Sequence, residues 1–225
     1  MNKIKYLLLF SLLFFVACED DSTNTGDNLQ GITSISGKLE NWTYGTGKTI
    51  KLGTYLGQNN FYVTGSGDIA ADGSFSIALL TPSAEWLNNL VDSTAHFTST
   101  TAGVKVYGQG GAMLFDGQNI FGFAIYINRD FTPDTFWIPQ VGDKVMQPTY
   151  FTAATTINGS ETSQEDWDPN HRDTTYVTRV VENKAVAAGW NKIYGSITSK
   201  TVNTYTINMS TAEPTGMKWY FSRIN

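Results

Sequence analysis

Phe61-Tyr62-Val63-Thr64-Gly65-Ser66-Gly67-Asp68-Ile69, then Ala70-Ala71-Asp72-Gly73, then Ser74-Phe75-Ser76-Ile77-Ala78-Leu79 reads as a β-hairpin, and the fold class follows from it. Two strand-like runs flank an Asp-Gly pair, and in Ser74–Leu79 apolar and small polar residues alternate. Alternation with period two marks a strand buried on one face. Asp-Gly between such runs marks the tight turn of a hairpin, because the glycine accepts the positive φ that the turn demands. The preceding run, Lys48-Thr49-Ile50-Lys51-Leu52-Gly53-Thr54-Tyr55, alternates in the same way.

The pattern continues outward. Residues 32–39, 104–107, 112–115, 119–128, 174–181, 190–198, 202–209 and 217–224 read as further strands, with turn signals about every ten residues. Residues 119–128 are long and apolar, as a central strand would be. Pro133, Pro139 and Pro148 mark connections or sheet edges, since proline cannot donate to a ladder. Thr81-Pro82-Ser83-Ala84-Glu85-Trp86-Leu87 predicts one short helix near 82–90, with Thr81 as its N-cap and Pro82 at its first position. The expected fold is an all-β antiparallel β-sandwich. It is laid out as a small unit over residues 31–95 and a second over 100–225, which pack together or merge into one domain.

The chain has 225 residues and a formal charge of −5. No Lys/Arg cluster is present, which argues against nucleic acid, a ligand that demands concentrated positive charge. Cys18 is the single cysteine, so no internal disulfide can form.

The first seventeen residues differ from the rest. Lys3 and Lys5 precede an apolar run from Tyr6 to Ala17. The run is shorter than the roughly 20 residues of a membrane-spanning helix, and has the length and flanks of a secretion signal. Its end, Phe15-Val16-Ala17-Cys18, resembles the lipobox of bacterial lipoproteins, with Phe15 where leucine is usual. That resemblance implies cleavage before Cys18 and attachment of fatty acyl chains (palmitate-type) to its thiol. Each buried CH₂ contributes about 0.8 kcal/mol, so two or three chains anchor firmly in a membrane. Glu19-Asp20-Asp21 resembles the export signal of surface lipoproteins of the Bacteroidota, which implies the outer face of the outer membrane. Residues 18–30 then read as a polar tether.

Two further resemblances concern the domain. Ile35-Ser36-Gly37-Lys38-Leu39 together with Ala71-Asp72-Gly73-Ser74-Phe75-Ser76-Ile77 is similar to a transthyretin-like or carboxypeptidase-regulatory-like sandwich unit spanning residues 32–80. Ala188-Gly189-Trp190-Asn191-Lys192-Ile193-Tyr194, closing with Met217-Lys218-Trp219-Tyr220-Phe221, resembles the end of a class of bacterial surface lipoproteins with a "GWN" strand. Neither resemblance implies an activity.

Few residues suggest chemistry. Gly45-Thr46-Gly47-Lys48-Thr49 looks like the end of a phosphate-binding loop, but the first glycine of that motif would fall on Trp42. A hairpin turn feeding a strand is the better reading. The two histidines, His96 and His171, stand in no zinc spacing, and no Gly-x-Ser-x-Gly elbow exists. The densest polar cluster runs from Glu161 to Asp173. In it Asp166, Asp168, Asn170 and Asp173 have the alternating oxygens of a shallow calcium site. The glycine and closing glutamate of an EF-hand are absent, since those positions hold His171 and Val177. Paired carboxylates there, Glu165 and Asp173 among them, are the alternative expectation of a hydrolase. Of six tryptophans, Trp190 and Trp219 fall in strands and are expected in the core. Trp137 and Trp167 fall in connections and are the candidates for stacking on a glycan.

The expectation is therefore a lipid-anchored cell-surface protein with a non-catalytic binding or adhesion module, for an extracellular glycan or a protein partner. The alternatives are a hydrolase with its site near 161–173, and a structural envelope lipoprotein without a small ligand.

Overall fold

The computed structural model describes residues 30–57, 60–91, 96–108, 111–130, 139–165 and 175–223. Fifteen strands make up the described fold. They are β1 (Ser34–Lys38), β2 (Lys48–Gly57), β3 (Asn60–Ile69), β4 (Ser74–Leu79), β5 (Asn88–Asn89), β6 (Phe97–Ser99), β7 (Lys105–Tyr107) and β8 (Gly111–Asp116). Then follow β9 (Asn119–Ile127), β10 (Lys144–Phe151), β11 (Thr155–Glu165), β12 (Thr175–Val186), β13 (Gly189–Lys200), β14 (Thr204–Ser210) and β15 (Lys218–Arg223).

The protein is all-β, mostly antiparallel and sandwich-like. The hydrogen-bonded order is β1-β4-β3-β2-β8-β9-β10-β13-β14-β12-β11-β6, with β15 on β9 and β7 bridging β5 and β10. Among the described strand pairs β12 runs parallel to β14. The two halves of this order meet through one pair, Val145 with Ile127. The residues that flank β1 reach across to other strands, one on the far half (β13) and one on β15 beside β9. Ile32 bridges to Trp190, and Leu39 to Trp219.

The core follows from the alternation. In β4, Phe75 and Ile77 point inward while Ser76 and Ala78 face out. Ile35, Leu52, Ile77, Leu114, Tyr194, Trp219 and Phe221 belong to one cluster, so residues on both sides of position 100 share a core. Burying each such side chain contributes about 1.5–3 kcal/mol. The Asp-Gly hairpin forms as the pattern predicts. Gly73 has φ +86°, and Asp72 accepts from the Ser74 amide at 3.0 Å and the Ser74 hydroxyl at 2.7 Å.

Three local expectations are corrected. The helix near 82–90 is a single 3₁₀ turn, Ala84–Trp86. Ser83, not Thr81, stands before it, and makes no side-chain cap. The Ser83 amide donates instead to the Tyr62 hydroxyl at 2.6 Å, and Asn88–Asn89 are drawn into pairing with β7. Tertiary pairing overrides a weak local propensity. Pro148 lies inside a strand, β10. That strand pairs with β13 along its whole length, but on its other side only at Val145 and at Tyr150–Phe151. Pro148 occupies the gap, where its missing N–H breaks no ladder bond. Residues 161–165, read within a loop-like cluster, are the end of β11.

Candidate functional site

One end of the far half of the sheet gathers connections that are distant in sequence. The turn 139–143 precedes β10 and is fixed from several sides. The Asp143 carboxylate, 2% exposed, accepts from Arg129 Nε at 2.6 Å and Nη2 at 3.1 Å, and from the Gln140 amide at 2.9 Å. A two-pronged Arg–carboxylate pair is strong and orienting. The Gly142 amide donates to Ile197 O, and the Ile197 amide to Asp143 O, both at 2.9 Å. Asn128 donates to Gly142 O at 3.1 Å and accepts from the Lys144 amide at 2.8 Å. Lys200 reaches Pro139 O at 2.9 Å and stands over the Tyr205 ring at 5.2 Å.

The bolted turn leaves Val141 59% exposed. Beside it, the β13–β14 turn holds Val202 at 91% exposure, and Asn203 O accepts from the Tyr176 amide at 2.8 Å. Tyr176 is 48% exposed. Three large apolar side chains thus stand in solvent on an end whose backbone is held rigidly. We call this the turn pole.

The residues that the sequence singles out fall in several places. Trp137, Trp167, Asp166, Asp168, Asn170 and Asp173 lie outside the described residues, as do Cys18, Glu19, Asp20 and Asp21. The described flanks of the two tryptophan segments can be located. Pro139 is the Lys200 acceptor, and Glu165 pairs with Thr175 next to Tyr176. Both flanks belong to the turn pole. Glu161 sits on β11 opposite Arg179, whose guanidinium donates to Ser163 at 2.9 Å. Trp190 and Trp219 are core residues, 4% and 5% exposed.

Sequence reasoning missed a carboxylate clamp. Glu213, in the β14–β15 connection, accepts from the Tyr126 hydroxyl at 2.5 Å and the Tyr194 hydroxyl at 2.8 Å. Lys192 stands 3.7 Å away. Burial and the neighbouring carboxylate push both phenols far above their usual range. Burial alone would raise the Glu213 carboxyl, but the two phenols and the Lys192 ammonium outweigh it and hold it below its usual value. A third phenol, Tyr220, donates to Asp130 at 2.5 Å and is pushed up to about 12 by burial and that carboxylate. These groups pin connections to strands. Phenols raised in this way stay protonated at neutral pH, and none of the three tyrosines is poised there as an acid or base. The sequence signal was weak, because Tyr126 and Tyr194 sit in apolar runs that read as core.

The opposite pole is aromatic. Trp86 stacks on Tyr62 with centroids 4.6 Å apart. Tyr62 meets Tyr107, Tyr107 meets Trp190, and Trp190 meets Tyr150, at 6.2, 5.9 and 5.6 Å. Thr54 and Tyr107 share a hydrogen bond of 2.7 Å, and the Trp190 indole donates to Leu80 O at 2.9 Å. The described chain enters here, where the Ile32 amide donates to Trp190 O at 2.8 Å. Among the described residues, no three His, Cys, Asp or Glu side chains converge on a point that would hold a metal ion. Comparison with protein-family models, with curated proteins and with solved structures finds no match for this chain.

Proposed function

We propose that this is a lipid-anchored, exported protein of the bacterial envelope whose turn pole is a binding surface for an extracellular partner, with a glycan as the favoured class. The observation that carries the reading is the convergence at that pole. The flanks of the segments holding Trp137 and Trp167, Pro139 and Glu165, lie on the same end of the sheet as Val141, Tyr176 and Val202. Aromatic and aliphatic groups in solvent on a rigid frame suit a ligand with an apolar face, and a pyranose ring has one. Binding to a preformed surface loses little to ordering. The address rests on the apolar run that ends at Cys18 and on Glu19-Asp20-Asp21.

The test has two arms. Intact mass of the membrane-extracted protein should place acyl chains on Cys18, and Cys18→Ser should move the protein to the soluble fraction. Glycan-array binding should fall at least tenfold in Trp137→Ala and Trp167→Ala, and in Val202→Asp, with the melting temperature unchanged. Binding that survives all three substitutions moves the site away from the turn pole. No signal on any glycan removes the sugar reading.

A further inference from the structure

The described residues have seven large hydrophobic side chains that are exposed: Tyr55, Leu56, Leu80, Val91, Val141, Tyr176 and Val202. Three form the turn pole. The other four lie around the place where the chain enters the fold. Leu80, 55% exposed, is fixed there because its carbonyl accepts from the Trp190 indole, and Trp190 is the residue that Ile32 bridges. Tyr55 and Leu56 follow Thr54, which is hydrogen-bonded to Tyr107, a ring neighbour of Trp190. Val91 follows Leu90, whose amide donates to Val104 O, just ahead of β7. Half-buried Trp86, on Tyr62, stands among them.

Entry of the chain at this pole is tightly fixed. At Gly31 a Cβ would lie 2.5 Å from Ala188 O, so the backbone passes too close to Ala188 for any larger residue. β13 then runs from Trp190 to Ile197 beside the turn 139–143. At about 3.3 Å per residue that separates the two poles by roughly 23 Å. The chain between Cys18 and Gln30 spans at most about 43 Å when fully extended. An acylated Cys18 therefore keeps the entry pole within about 43 Å of the bilayer, and the exposed apolar side chains around that entry are what favours seating this pole rather than the other.

We propose that the entry pole is a membrane-seating surface: Tyr55, Leu56, Leu80 and Val91, with Trp86, rest on the headgroup–acyl boundary of the membrane that holds the anchor. The proposal rests on the Cys18 anchoring reading. Trp and Tyr suit that boundary because an apolar ring and a polar tip sit in one side chain. The attraction is apolar rather than ionic: among the described residues of the segments named here, Lys105 and Glu85 are one charge of each sign. Seating fixes the orientation of the domain, so that its turn pole faces away from the cell.

The test couples the mature chain through its single cysteine, Cys18, to a maleimide phospholipid in phosphatidylcholine vesicles, and compares its amide exchange with that of the uncoupled chain. Exchange at residues 54–57, 79–82 and 88–91 should slow at least threefold. Residues 139–143 and 201–204 should not change. Salt at 0.5 M, on the order of a 4–5 Å screening length, should leave the protection intact, and Leu56→Asp with Leu80→Asp should abolish it without altering exchange in β13. Equal exchange at both poles, or protection at the turn pole instead, overturns the proposal. Because the coupling is chemical, this result stands apart from the anchor itself. An unacylated Cys18 in the native protein defeats the anchoring reading even where the coupled domain seats.

Discussion

Gly73 carries more of the fold than its size suggests. At φ +86° an L side chain is strained, and a Cβ there would lie 2.7 Å from the Trp42 Cβ and 2.9 Å from Leu39 O. Gly73→Ala combines backbone strain with a clash against a buried tryptophan. It should cost about 2–3 kcal/mol in urea denaturation, with an unchanged m-value. Its neighbour Asp72 acts through charge. Hydrogen bonds from the Ser74 hydroxyl and amide, helped by Lys38, hold its carboxyl down at about 2. A depressed folded value means that the stabilisation is present above the unfolded value near 4, and is lost as the pH falls through about 2. Wild type and Asp72→Asn should therefore differ in stability at neutral pH and converge near pH 2, as followed by acid titration of circular dichroism. Convergence already at pH 4 would mean that the carboxylate is unperturbed.

At the scale of elements, the turn 139–143 depends on a pair whose two members are not equivalent. Arg129 is 33% exposed and Asp143 is 2% exposed. Removing Asp143 leaves a guanidinium that water can reach. Removing Arg129 deprives a buried carboxylate of its cationic partner. Arg129→Met should cost about 3–5 kcal/mol and Asp143→Ala about 2–3, measured by thermal unfolding, with Val141 exposure and partner binding reduced in both. Strands with one apolar face were legible in the sequence to within a few residues: the run at 48–55 is β2, and that at 61–69 is β3. β11 was not, because its outer half, Ser160–Glu165, is polar on both faces and offers no period to read. β10 was hidden by Pro148, whose tolerance depends on a gap in the neighbouring strands that no local pattern encodes. The turn pole was hidden for a similar reason. Tyr176 reaches the Val202 turn through the parallel pairing of β12 with β14, and Val141 reaches the same end through the bonds of turn 139–143 to β13, non-local choices that leave no mark on any one segment. The entry pole leaves a local trace only in Trp86, whose setting behind Thr81-Pro82 has the pattern of a helix start.

For the whole molecule, the order of strands in space departs from their order in the chain. β13 and β14 lie between β10 and β12, and β15 lies on β9. Such non-local pairing slows folding. Deleting residues 189–225 should abolish cooperative unfolding altogether, seen as the loss of a thermal transition and rapid digestion by protease. A fragment that melted with most of the native enthalpy would contradict this topology. The wedge position of the last strands has a further consequence. A chain cut short by a premature stop would not be a smaller version of the protein with a frayed rim. It would be two unjoined pieces of sheet with raw inner margins. The strands from residue 189 onward are thus the seam of the molecule, and a copy that lacks them offers a protease two open sheet margins where the folded one offers a closed seam.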